Sequence, residues 1–203
     1  MKIICIGRNY VEHAKELGNN IPEEPVIFMK PKSALLQVHT PFYYPEFTNE
    51  LHYEVELVLR VSKNGKYVQE KHASNYVNGI TVGIDFTARD IQEECKKNGL
   101  PWEKAKAFDN SAAVGKFIDI TPDLQKGNIN FSLLKNKEVV QKGNSGDMIF
   151  NFDKIISNIS NYFSLNIGDL IFTGTPAGVG ECVVGDELEA LMESQSLLSV
   201  EVK

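Results

Sequence analysis

Cysteine is scarce in this chain, with three in 203 residues at positions 5, 95 and 182. An odd number, widely spaced and without a C-x-x-C pair, argues against both a disulfide framework and a cysteine zinc site. Basic residues are outnumbered, 21 Lys and Arg against 27 Asp and Glu, for a net charge of −6. That leaves no positive excess to hold a nucleic-acid backbone, so no nucleic-acid partner is expected. Long apolar runs are missing too. None approaches the ~20 residues of a membrane span, so no membrane partner is expected either. The opening MKIICIGRN has only residues 3–6 apolar before Gly7 and Arg8. Such a run is too short for a signal peptide and reads as a first strand. With unpaired cysteines, these features lead us to expect a cytoplasmic protein. Repeats, low-complexity stretches and linkers are absent, so residues 1–203 are expected to form a single domain. The Gly-rich stretch 175–180 carries neither G-K-[ST] nor G-x-G-x-x-G, which disfavours nucleotide binding.

What the chain does have is an unusual block from residue 51 to residue 109. LHYEVELVLRV alternates Tyr53, Val55 and Leu57 with Glu54 and Glu56, so a strand here puts both carboxylates on one face. Charges two strand residues apart, roughly 6.6 Å, repel by about 2.5 kcal/mol at an effective dielectric near 20. Within so apolar a run the pair needs a cation, and a divalent metal would supply it. VGIDF reads as a buried strand ending in Asp85. Thr87 then opens a helix to about Asn98 with Gly99 as its stop, and Thr87 with Asp90 has capping-box spacing. Arg89 and Gln92 share a face of that helix. Beyond Gly99-Leu100-Pro101 come Lys104 and Lys106, read as neighbours two apart on a strand. Three carboxylates, a divalent cation and one lysine sum to zero charge, which a partly buried site tolerates. An E-x-E strand is also commonly just a solvated face.

Elsewhere, Asn9 is positioned to cap a short helix ended by Gly18, and His13 and Glu16 lie i,i+3 upon it. A carboxylate beside an imidazole fixes its tautomer and makes a general base. The same spacing also occurs on ordinary helix surfaces. Lys30 could hold an anionic substrate or be a solvated lysine before Pro31. His39 and His52 have no partner at catalytic spacing and are read as structural. Asn64-Gly65 reads as a hairpin turn, and 128–143 as two strands joined at Lys135-Asn136. A helix opening at Asp153 carries Ile155, Ile156, Ile159, Tyr162 and Phe163 as one core stripe. The pattern as a whole indicates a mainly β, α+β domain.

E-x-E, then Asp85, Thr87, Arg89, Asp90 and Gln92 in D-x-T-x-R-D-x-Q, then G-L-P-W-x-x-A-K-x-F, and finally T-G-T-P-x-G-V-G resemble the fumarylacetoacetate hydrolase family. The likeness is strongest to its short acylpyruvate hydrolase and oxaloacetate decarboxylase branch. The resemblance spans essentially the whole chain and implies a mixed β-roll with a few helices, usually paired as a homodimer. It implies Glu54, Glu56 and Asp85 as ligands of Mg²⁺ or Mn²⁺, Lys106 as the catalytic lysine, and His13 with Glu16 as a water-activating dyad on a lid, residues 7–20. It also implies Arg89, Gln92, Gly174 and Thr175 beside the carboxylate of a small anionic 2-oxo acid. The reaction implied is C–C bond hydrolysis of acylpyruvates (2,4-dioxo acids) to pyruvate, with oxaloacetate decarboxylation through the same enolate. The alternatives are isomerisation or tautomerisation of an unsaturated 2-oxo acid, as in 2-hydroxyhepta-2,4-diene-1,7-dioate isomerases, or a non-catalytic anion-binding module. Ile84 before the aspartate and FDNSAAVG after the lysine depart from the family pattern and bear on substrate choice.

Overall fold

A computed structural model describes residues 1–16, 18, 20–121 and 128–203. In chain order its elements begin with β1 (Ile3–Gly7), α1 (Val11–Glu16), β2 (Val26–Lys30), β3 (Leu51–Tyr53), β4 (Val55–Val61), β5 (Val77–Asp85) and β6 (Thr87–Ala88). Next come α2 (Arg89–Asn98), α3 (Glu103–Lys106), β7 (Ala112–Val114), β8 (Ile118–Asp119), β9 (Asn130–Lys135) and β10 (Glu138–Asn144). The chain closes with α4 (Phe152–Tyr162), β11 (Leu170–Phe172), β12 (Gly180–Glu181), β13 (Glu187–Met192) and β14 (Gln195–Glu201).

Among the described residues these strands form three sheets. The largest runs β2-β1-β11-β4-β5-β7, with β8 also on β5. A second is β10-β9-β13-β14, and the third is β12-β3-β6. The large sheet curls, and Leu35 bridges Ala112 to bring the β2 side round to β7. The fold is the mainly-strand mixed architecture that the pattern predicts.

Strand alternation sorts the side chains of the large sheet into two environments. Ile4, Ile6, Val55, Leu57, Leu59, Ile80, Val82, Ile84 and Ile171 enter the main core, together with Ile155, Ile156 and Ile159 of α4. Ile3, Cys5, Val58, Leu170 and Phe172 fill a smaller cluster on the opposite face. Glu56 and Asp85 share the parity of Val58 and so belong to this second face. Gly83, two residues before Asp85, has no room for a side chain there. A Cβ would come within 2.8 Å of Val58 Cγ2 and 2.9 Å of Phe172 Cε1. The narrow interior of the curl therefore requires glycine beside the site.

Several local expectations are corrected. Tyr162 is 60% exposed and leaves the α4 stripe. Gly65 pairs with Leu165 instead of forming a hairpin tip, and a Cβ at Gly65 would meet the Tyr76 ring at 2.3 Å. The β9–β10 turn sits one residue later, at Asn136 and Lys137, both left-handed at φ 53 and 71. Asn9 does not cap α1. Its side chain donates to Phe150 O and Thr173 O and accepts from Phe150 N, so it ties three segments together. Thr87 and Asp90 form no capping box, because α2 starts after Ala88 without a side-chain cap. Lys106 lies on α3, a helical turn, so it and Lys104 diverge, and Lys104 is exposed.

Candidate active site and metal centre

β3 and β4 break at Glu54, which lies between Tyr53 and Val55. This kink still leaves Glu54 and Glu56 facing the same way. With Asp85 at the end of antiparallel β5, each offers a ligand atom within 4.8 Å of the others. All three are buried. Lys106 Nζ donates to Glu54 Oε2 (2.7 Å), Asp85 Oδ2 (2.9 Å) and Thr87 Oγ1 (2.6 Å). Arg89 Nη2 donates to the other Glu54 oxygen at 2.5 Å, and its Nη1 donates to Gln92 Oε1. Gly174 N–H donates to Glu56 Oε2 at 2.7 Å, from a backbone at φ +104 that also brings Gly174 against Asn9.

Lys30 is neither solvated nor in the opening. Its ammonium is buried behind Asp85 and donates to the Lys106 carbonyl and to Ser111 O and Oγ. It also lies 2.7 Å from Asp85 Oδ1, although that oxygen accepts no hydrogen bond. The substrate-binding role expected for Lys30 is therefore replaced by that of an internal counter-ion. This changes the charge count: Lys30, Lys106 and Arg89 together face Glu54 and Asp85, and only Glu56 is left without a cationic partner among the described residues.

These neighbours set the protonation states. Burial opposes ionisation of Glu54, yet Lys106 and Arg89 outweigh it and hold the carboxyl far below its usual range. Burial, and then Asp85, push Glu56 upward. Burial also opposes the Lys106 ammonium, but Asp85 and Glu54 raise it above the ordinary value. The residues fit a divalent metal. Three clustered hard oxygen donors suit Mg²⁺ or Mn²⁺, and Asp85 Oδ1 is buried without a hydrogen bond.

Glu54 and Glu56 open into a small cavity also lined by His13, Arg89, Gln92, Lys106 and Thr175. His13 Nδ1 stands 3.4 Å from Glu16 Oε2, and burial lowers the imidazole pKa. Glu16 in turn accepts from the Gly178 N–H, which links α1 to the 175–180 loop. Gly174 does not line the cavity, because its amide is spent on Glu56. Two supporting residues were not singled out in the sequence. Gln141, on β10, accepts from Val55 N and donates to Thr175 Oγ1 and Pro176 O, pinning the loop to β4. His52, read as structural, contacts Glu50 through Nε2 (2.9 Å) and accepts from Arg89 Nε through Nδ1. The i,i+2 pair Glu50–His52 was its signal, whereas nothing local marks Gln141.

A family model described as fumarylacetoacetate (FAA) hydrolase C-terminal matches residues 2–203. The chain belongs to this family. It is 42% identical to oxaloacetate tautomerase YcgM of Escherichia coli (strain K12) over 199 residues, 97% of this chain and 90% of that one. It is 41% identical to the mouse mitochondrial oxaloacetate tautomerase FAHD1 over 201 residues, 99% of this chain and 91% of that one. A crystal structure of Pseudomonas aeruginosa fumarylpyruvate hydrolase in complex with Mn²⁺ and pyruvate superposes with a TM-score of 0.94. Its identity is 35%, covering 100% of this chain and 89% of that one. Family membership and the mixed, strand-rich roll thus agree with the sequence resemblance.

Proposed function

We propose that this chain is a Mg²⁺- or Mn²⁺-dependent enzyme that acts on a small 2-oxo acid through its enol or enolate, with oxaloacetate tautomerisation as its first reaction. The observation that carries this reading is the buried Glu54–Glu56–Asp85 cluster, whose Glu54 and Glu56 line one cavity with His13 and Lys106. The sequence alternatives included tautomerisation only of an unsaturated 2-oxo acid, with oxaloacetate expected as a decarboxylation substrate. Oxaloacetate tautomerisation moves to first place because a relative named for that activity is 42% identical. Glu54, Glu56 and Asp85 would hold the ion. When bound, it supplies a Lewis acid that favours the enolate over the keto form.

The chain's own groups do the rest. Burial keeps His13 neutral, and Glu16 beside Nδ1 leaves Nε2 free to take a proton from the carbon next to the 2-oxo group and return it. Lys106 remains an ammonium and places a fixed positive charge beside the developing enolate oxygen. Arg89, propped by His52 and Gln92, and the Thr175 hydroxyl, held by Gln141, receive the substrate's carboxylate.

The second reading is hydrolysis of acylpyruvates, favoured by the His13–Glu16 dyad and the fumarylpyruvate hydrolase relative. There Nε2 takes a proton from water, whose oxygen adds to the distal carbonyl. The C–C bond then breaks, and its electron pair stays with the pyruvate enolate. We also expect a homodimer, to be tested by light scattering.

The deciding experiment follows enol-to-keto conversion of oxaloacetate and pyruvate release from acetylpyruvate side by side, with Mg²⁺ or Mn²⁺ titrated in. Metal-dependent acceleration of the first supports the reading. Acceleration of only the second moves hydrolysis into first place. If neither responds and calorimetry finds no ion bound, the chain is an anion-binding module and the enzymatic reading fails.

A further inference from the structure

Two cations outside the described machinery, Arg8 and Lys96, line the same cavity as Glu54 and Glu56. Arg8 follows β1 in the left-handed backbone region at φ 60, a conformation that side-chain-bearing residues hold mainly where structure demands it. Lys96 lies on α2, four residues after Gln92 and seven after Arg89, so the three share one helix face. Among the described residues, neither Arg8 nor Lys96 has a side-chain hydrogen bond or ion pair. Lys96 is half-buried, and its ammonium is pulled below the ordinary value by burial and then by Arg89 and Arg8. Like charges therefore share one cavity, with Glu54 acting on Lys96 only through space and outweighed by burial and by Arg89 and Arg8. The inner carboxylates are already engaged, Asp85 and Glu54 by Lys30, Lys106 and Arg89, and Glu56 by the Gly174 N–H.

We propose that Arg8 and Lys96 form a subsite for the distal carboxylate of a dicarboxylic 2-oxo acid, whose 1-carboxylate and 2-oxo end lies over Glu54 and Glu56. This rests on the functional reading above and narrows it to dianionic substrates. A monoanionic acylpyruvate leaves the pair unmatched, while an oxaloacetate-type dianion satisfies it. Phe28 and Trp102, in edge contact at 6.0 Å, line the same cavity and give the intervening carbons an apolar wall.

Malate and lactate test the subsite without turnover, since both are 2-hydroxy acids and differ in the distal carboxylate. Their affinities are measured by calorimetry at fixed Mg²⁺. The wild type should bind malate about 10- to 100-fold tighter, the scale of hydrogen bonds to charged groups. Arg8→Gln and Lys96→Gln should each shrink that ratio several-fold, and the double variant should bring it near one, with lactate affinity unchanged throughout. Arg8→Lys and Lys96→Arg should largely keep the preference. Equal binding of the two acids by wild type overturns the proposal. So does a ratio that survives in the double variant, or lactate affinity that falls in step with malate, which would make the pair a structural support. Oxaloacetate turnover is assayed in parallel. A malate preference lost in the glutamine variants, alongside a wild type that never turns over oxaloacetate, would sink the catalytic reading and leave the subsite standing.

Discussion

At His13, burial acts against Glu54 and Glu16 on the same proton, and burial is the larger effect. A lowered pKa means that the neutral base survives as pH falls, so the acid limb of tautomerisation should have its midpoint below the ordinary ~6.5 of histidine. A limb at or above that value would give the limiting proton to another group. His13→Ala should cut tautomerisation and acylpyruvate hydrolysis by about 10²–10⁴, the usual loss for a general base. Oxaloacetate decarboxylation, which needs only a stabilised enolate, should fall less. Equal losses in all three assays would make His13 a substrate-positioning group. Lys106→Met removes the ammonium and should abolish turnover, yet the fold should persist, because Lys30 still pairs Asp85 and Arg89 still pairs Glu54. Lys104→Met, on the exposed side of α3, should be near neutral in turnover and melting. A sensitive Lys104 would contradict that placement. The grouping of residues at the candidate site was legible in the sequence where their spacing is local: Glu54 and Glu56, His13 and Glu16, Arg89 and Gln92. Lys30 was misread because its partners, Asp85 and Ser111, are 55 and 81 residues distant.

Elements explain what spacing alone could not. Residues 7–20 were expected to move as one lid, but Asn9 is fastened to Phe150 and Thr173, and Tyr10 bridges Met148. Any closing motion must therefore begin beyond Tyr10; Leu17 and Asn19 lie outside the described residues. The loop after β11 is held as firmly, by Gly174 on Glu56 and by Gln141 on Thr175. Gly174→Ala should be severe. It forces a side chain onto a φ of +104 and sets its Cβ 2.6 Å from Asn9 Cβ. We expect a loss of about 1–3 kcal/mol in stability and weaker metal binding as the amide leaves Glu56. Denaturant unfolding and calorimetry would check both, and wild-type values in the variant would mean the loop yields freely. The strands themselves were readable from alternation, and α4 from its isoleucines. Its Tyr162 was not, since at the last turn a helix can point an aromatic residue past the edge of the core. Gln141 escaped notice because the second sheet carries it to a loop 34 residues further along the chain.

Taken as a whole, the molecule sets three carboxylates inside a narrow curl of sheet, Glu54 and Asp85 paired with cations and Glu56 held by a backbone amide. A divalent ion that binds only the folded chain should raise stability by about 2.7 kcal/mol at a hundred times its Kd. For a chain of this size that is roughly 5–10 °C in Tm. Glu56→Gln should abolish that shift without lowering the metal-free Tm, because Glu56 is in no ion pair among the described residues and burial already disfavours its charge. A shift preserved in the variant would place the ion elsewhere. The overall class followed from composition and periodicity, whereas the closure through Leu35 and Ala112 could not, because 77 residues separate that pair. Lys30 has a consequence for how the protein comes into being. With Lys30 built in behind Asp85, the chain supplies a counter-ion of its own to the buried cluster. On the proposed reading, an ion would then be a late addition to a finished chain, and its identity would follow supply.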